Sequence, residues 1–110
     1  MPDQTVNVTF DPTARPQFTF DPDSVPMSGA GKIILQRRGS SPTWTFTGGE
    51  VKKDTLNEFS SSVQGNGKSL HFDDQFRDRQ RTEYEYTITV ELDGERFESP
   101  DPKIVNDPGR

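Results

Sequence analysis

The chain has 110 residues, enough for one domain and too few for two. Only 27% is hydrophobic, 28% is charged, and nine Gly and nine Pro punctuate it. No apolar run approaches the ~20 residues that cross a bilayer as a helix. Ala and Leu are too sparse for a helical bundle, and the absence of Cys excludes disulfides and cysteine-ligated metals. The net charge of −5 disfavours nucleic acid and anionic membranes as partners. That charge is uneven: residues 1–31 sum to −3, residues 32–53 to +4 and the remainder to −6. A basic middle between acidic flanks reads chiefly as a solvated sheet face. The start, Met1-Pro2-Asp3-Gln4-Thr5-Val6, has neither the basic nor the apolar segment of a secretory signal, so a cytoplasmic location is the default expectation.

Period-two alternation dominates, which is the signature of half-buried strands. Val6, Val8 and Phe10 share one face, then Phe18 and Phe20. Lys32-Ile33-Ile34-Leu35-Gln36 is a continuous apolar run, expected to be a central strand buried on both faces. Thr43 to Thr47 alternates Thr with aromatic residues around Trp44 and Phe46. From Gly48 to Asn57 the pattern is ambiguous: Val51, Leu56, Phe59 and Val63 weakly fit helical spacing, and a loop with a short strand or single helical turn is expected. Phe59 to Val63 and Ser69 to Phe72 flank Gly65-Asn66-Gly67, a hairpin signal. Thr82 to Leu92 is the longest run, with Tyr84, Tyr86, Ile88, Val90 and Leu92 on one side. Asp93-Gly94 turns it into Glu95 to Glu98.

These elements predict an all-β, immunoglobulin-like Greek-key sandwich of about seven or eight antiparallel strands, a single domain over residues 1–110. Trp44 is the expected inter-sheet residue and Tyr84 the expected corner tyrosine. The prolines after Phe10-Asp11 and Phe20-Asp21 end strands. Val6 to Phe10 and Ile104-Val105, bounded by Pro, are the expected sheet edges.

The stretch Phe18-Thr19-Phe20-Asp21-Pro22-Asp23-Ser24-Val25-Pro26, followed by Gly31-Lys32-Ile33-Ile34-Leu35, resembles the opening of cupredoxin-like and immunoglobulin-like sandwiches. With one His, no Cys and Met only at 1 and 27, a blue-copper site cannot be built, so only the architecture carries over. Asp21-Pro22, Asp93-Gly94 and Ser99-Pro100-Asp101-Pro102-Lys103-Ile104-Val105-Asn106 are similar to the small uncharacterised bacterial proteins of the DP-EP family. That resemblance spans nearly the whole chain and implies a single sandwich domain. It supplies no catalytic residues.

Functional constellations are thin. His71, the sole histidine, could join Ser60, Ser61, Ser62 or Ser69 with Asp73 or Asp74 in a hydrolase-like set, but no nucleophile elbow accompanies it. Asp73, Asp74 and Asp78 could offer oxygens to Ca²⁺, yet Arg77, Arg79 and Arg81 stand beside them, and local Asp–Arg pairing is the preferred reading. Arg37, Arg38, His71, Arg77, Arg79 and Arg81 form the candidate interaction surface. No phosphate loop, dinucleotide fingerprint or cofactor motif is present, and no catalytic, cofactor or metal residues are assigned. The expectation is a non-enzymatic binding or assembly module with a protein partner, a second copy of itself included. Carbohydrate or small-ligand recognition is the alternative, and it would need Trp44, Tyr84 or Tyr86 at the surface.

Overall fold

A computed structural model describes residues 3–38 and 43–109. Among these residues ten strands follow one another: β1 (Gln4–Phe10), β2 (Phe18–Asp21), β3 (Ser24–Met27), β4 (Gly31–Arg37), β5 (Thr45–Val51), β6 (Phe59–Gln64), β7 (Ser69–Asp74), β8 (Thr82–Leu92), β9 (Glu95–Glu98) and β10 (Lys103–Asn106). They build two layers. The first sheet has the order β2-β1-β4-β7-β6; the second runs β3-β10-β8-β5, with β9 also paired to β8.

Alternation decides which side chains meet between the layers. Val6, Val8 and Phe10 of β1, Phe18 and Phe20 of β2, Ile33 and Leu35 of β4, and Leu70 and Phe72 of β7 are buried from one sheet. Val25, Met27, Phe46, Tyr84, Tyr86, Ile88, Val90 and Ile104 face them from the other. Trp44, just before β5, is buried as expected and packs edge-on against Phe46, with ring centroids 4.9 Å apart. Phe10 bridges from Trp44 (6.1 Å) to Phe97 (4.9 Å), closing that end of the core.

Both hairpin turns form where expected. Gly65-Asn66-Gly67 joins β6 to β7 with all three residues at positive φ. Asp93-Gly94 joins β8 to β9, with φ of 53° and 81°. That pair of left-handed residues matches the right-handed twist of the flanking strands.

Four expectations are corrected, the first being the strand count, which is ten among the described residues rather than seven or eight because the chain breaks into short pieces at β2, β3, β9 and β10. The sheets are mixed, because β1 pairs parallel with β4 and β10 parallel with β3. The terminal strands are not edges: β2 covers β1, and β3 covers β10, so the edges are β2, β3, β5, β6 and β9. β4 is central, but only Ile33 and Leu35 are fully buried, while Ile34 is half-buried on the outer face. The ambiguous stretch after Gly48 takes the short strand and loop that were expected: it continues β5 to Val51, past a register shift between Phe46 and Gly48, and then turns. Gly49 permits this path, since a Cβ there would lie 2.8 Å from Leu70 Cδ2 and 3.0 Å from Phe72 Cζ.

Candidate functional site

One end of the core is polar. β7 carries its alternation one step beyond Leu70 and Phe72, which puts Asp74 on the inward face. β10 does the same with Asn106 after Ile104. Glu58 comes from the residue before β6, Tyr84 from β8, and Asp78 from the segment 75–81 that joins β7 to β8. All five are buried: Glu58 is 1% exposed, Asp74 2%, Asp78 8%, Tyr84 5% and Asn106 0%.

Asn106 Nδ2 lies 3.1 Å from Glu58 Oε1, 3.1 Å from Asp74 Oδ1 and 2.8 Å from Asp78 Oδ2. The Tyr84 hydroxyl lies 2.9 Å from Glu58 Oε2 and 2.6 Å from Asp78 Oδ1. Backbone groups of the connecting segment complete the cluster. Phe76 N–H donates to Asp74 Oδ1 (2.9 Å) and Arg77 N–H to Glu58 Oε1 (3.0 Å), while Gln75 N–H donates to the Glu58 carbonyl (2.9 Å). Phe76 takes a φ of 56° to bring these groups to bear. Asp74 Oδ2 and Asn106 Oδ1 are buried without a hydrogen-bond partner.

Burial pushes the Asp74 carboxyl up to about 7, reinforced by the charges of Glu58 and Asp78 against the opposing bonds from Phe76 and Asn106. Burial also raises Glu58. The Tyr84 hydroxyl is raised first by burial, then by its bonds to the two carboxylates. Asn106 Nδ2 occupies the point on which the three carboxylates converge. Among the described residues no three His, Cys, Asp or Glu side chains are set to hold a metal ion.

The expected Asp–Arg pairing is replaced by this arrangement. Arg77 reaches Gln75 Oε1 (2.5 Å), Arg81 pairs with Glu83 (3.0 Å), and Asp73 points outward. Asp74 and Asp78 turn inward because the strand parity of β7 and the position of Tyr84 offer a buried donor there. Sequence reasoning missed Glu58 and Asn106. Asn106 had a signal, the alternation Ile104 to Asn106, whereas Glu58 had none.

The candidate interaction surface is not brought together. Arg37 and Arg38 sit at the end of β4 nearest Lys68, whereas Arg77, Arg79 and Arg81 follow β7 at the opposite end of the same sheet. Arg37 donates to the Trp44 carbonyl (2.6 Å) and Arg38 to Asn7 Oδ1 (2.7 Å), so both serve the fold locally. His71 lies between the two ends on the outer face, opposite Ile34 and Ser62. Among the described residues it has no hydrogen-bonded carboxylate. Trp44, Tyr84 and Tyr86 are all buried, so none offers a ring to a sugar.

A separate feature opens where the chain crosses between sheets. β2 and β3 are four-residue edge strands, one in each layer, joined through the cis Asp21–Pro22 peptide. Between them and the segment leading into β10 lies a groove of about 290 Å³, lined by Phe18, Phe20, Pro100 and Pro102, with Asp23 and Ser24 on its rim. Lys103 of the groove pairs with Glu83 (3.6 Å), and Asp101 with Lys52 (3.0 Å). Asp23 has no ion-pair partner among the described residues. Behind Phe20, the buried Tyr86 hydroxyl lacks a hydrogen-bond partner, and it is raised by burial and by the Asp23 charge.

No helix among the described residues is long and apolar enough to cross a membrane. No curated protein matches the chain. The model of the DP-EP family matches residues 2–108, including both Pro-bounded motifs and every strand described above, and the chain therefore belongs to the DP-EP family.

Proposed function

We propose that this chain is a non-enzymatic protein-binding module, and that it takes an extended segment of its partner along the β2 and β3 edges. The observation that carries the reading is the groove between those edges: an apolar floor of Phe18, Phe20, Pro100 and Pro102 beside the unneutralised Asp23. Its volume, about 290 Å³, is at the lower limit of small-molecule sites, roughly 300–1,000 Å³, and suits one or two side chains. An aliphatic stem ending in a cation, as in Lys or Arg, complements Phe and Pro below and a carboxylate at the rim. The adjacent strand edges offer backbone groups to the same segment, the mode in which strand addition supplies affinity and pockets supply specificity.

The test is selection of displayed random peptides on the full chain. Enriched peptides are expected to carry Lys or Arg beside an apolar residue. They should lose binding to Asp23→Lys and to Ser24→Trp, both at exposed positions where the melting temperature should hold. No enrichment, or binding that survives both substitutions, refutes the reading. Sedimentation of the same variants decides whether the occupant is a second copy: a dimer that both substitutions dissolve identifies self-association through this groove.

A further inference from the structure

The five buried residues at the polar end of the core share too few hydrogens. The two contacts of the Tyr84 hydroxyl and the three of Asn106 Nδ2 make five close approaches to carboxylate oxygens. A phenol brings one hydrogen and a primary amide two. Two carboxylate oxygens at 2.6 and 2.9 Å from one hydroxyl are both satisfied only if one of those carboxyls is itself protonated and donates to the phenol oxygen.

Among the described residues no cation is paired with the cluster. Arg77 is held by Gln75, Arg81 and Lys103 by Glu83, and Lys52 by Asp101. The groups facing the cluster are Asp74 from β7, Glu58 from the approach to β6, Asp78 from the connecting segment, Tyr84 from β8 and Asn106 from β10. Asp54 stands nearby, but its carboxylate accepts from the Glu58 and Phe59 N–H groups. A second observation points the same way. Asn106 is fully buried and aimed into the cluster, yet its Oδ1 has no donor, and neither has Asp74 Oδ2. Buried oxygens without a hydrogen are costly, so the cluster as a whole is short of hydrogens and gains from taking up a proton.

We propose that Glu58, Asp74, Asp78, Tyr84 and Asn106 form a proton-binding site that holds residues 75–81 against the end of the sandwich, so that loss of the bound proton releases that segment. The mechanical link is direct. The segment is tied down through Phe76 N–H on Asp74, Arg77 N–H on Glu58, and the Asp78 side chain itself. With the proton in place, one carboxyl donates and the cluster carries two negative charges around four side-chain hydrogens, one from the phenol, two from the amide and one from the carboxyl. Without it, three carboxylates face one another in a water-poor site, and the exposed segment carrying Asp78 is the part free to move away. Burial raises both Glu58 and Asp74, the latter to about 7, so the shared proton is given up as the pH climbs to neutrality.

The experiment is amide hydrogen exchange on the full chain across pH ~4 to ~9, corrected for intrinsic rates. Protection of the Phe76 and Arg77 amides is expected to fall about tenfold for each pH unit between the ordinary carboxyl value of ~4 and the site's midpoint, and to level off above that midpoint, as one-proton linkage requires. Protection of Ile88 and Val90 in β8 should stay constant. Asp74→Asn, an isostere with permanent hydrogens, should remove the pH dependence at Phe76 and Arg77. Carboxyl carbon NMR of the unmodified chain serves independently of whether that variant folds: one carboxyl of the three should titrate near neutrality. Three carboxyls all titrating in the ordinary acidic range, or segment protection that does not change with pH, overturns the proposal. Millimolar Ca²⁺ that raises the melting temperature at alkaline pH also overturns it, because the deficit would then be filled by a metal ion.

Discussion

Gly48 and Gly49 are neighbours on β5 with opposite surroundings, and substituting each in turn tests the packing between the two sheets. Neither has the positive φ that would penalise an L side chain by itself. A Cβ on Gly48 meets nothing within 4 Å, whereas one on Gly49 lies 2.8 Å from Leu70 Cδ2, 3.0 Å from Phe72 Cζ and 3.2 Å from the Thr87 carbonyl oxygen. Leu70 and Phe72 are fully buried on β7, so neither can swing aside, and the carbonyl belongs to the backbone of β8. Overpacking of this kind costs about 1–3 kcal/mol. Replacing glycine with alanine returns roughly 0.4–1 kcal/mol through the unfolded chain. Gly49→Ala should therefore destabilise by a net ~1–2 kcal/mol, lowering Tm by roughly 5–10 °C in a domain near this size. Gly48→Ala should be neutral or slightly stabilising. Urea unfolding with an unchanged m-value measures both. Pairing Gly49→Ala with Leu70→Ala should recover much of the first loss, since the closest clash is with Leu70. If Gly49→Ala matches Gly48→Ala, or if Leu70→Ala brings no recovery, the close approach of β5 to β7 is not as described.

Other outcomes follow from the polar cluster and the surface. Asp74 is raised from 3.8 to about 7 on folding, so its contribution is fully present below pH 3.8 and is lost as pH rises through 7. The linked loss is on the order of 4 kcal/mol, and denaturant midpoints measured from acid to alkaline pH should fall across that window. Asp74→Asn should flatten the fall. Tyr84→Phe removes the hydrogen that serves Glu58 and Asp78, leaves both short of a donor, and should cost about 1–3 kcal/mol by equilibrium unfolding. Asp101→Asn breaks the exposed ion pair with Lys52 but keeps an oxygen that can accept from the Thr87 hydroxyl, and should leave Tm unchanged within experimental scatter.

Much of this fold can be read in the chain because its local chemistry is consistent. From Tyr84 to Val90 every second residue is apolar, and each one is buried. Asp93-Gly94 and Gly65-Asn66-Gly67 need left-handed backbone and consist of residues that tolerate it. Which strand lies beside which is a different matter. β1 alternates in the same way whether it pairs parallel with β4 or antiparallel with another strand, and its flanking prolines mark where pairing stops without naming a partner. The polar cluster was half legible. Asp74 continues the inward parity of Leu70 and Phe72, and Asn106 that of Ile104, but charge and polarity at a strand end ordinarily mean solvent. Only the convergence of five separate segments makes burial tolerable there. Glu58 illustrates the remainder: nothing adjacent to it in sequence predicts that it lies under Tyr84 and Asn106.

The internal place of β10 has a consequence for the order in which the molecule can be assembled. Among the described residues β3 has no strand neighbour other than β10, although some 75 residues separate them in the chain. During synthesis the residues of β3 emerge early, and they can only wait for a strand that emerges late. Until it arrives, one flank of β8 also lies open at residues 82–85. Such a nascent chain displays two unsatisfied strand borders, which are templates for joining other chains. Closure by a distant segment is slow for entropic reasons. A shortened product that lacks residues 103–106 is therefore expected to accumulate as insoluble material rather than as a smaller folded domain.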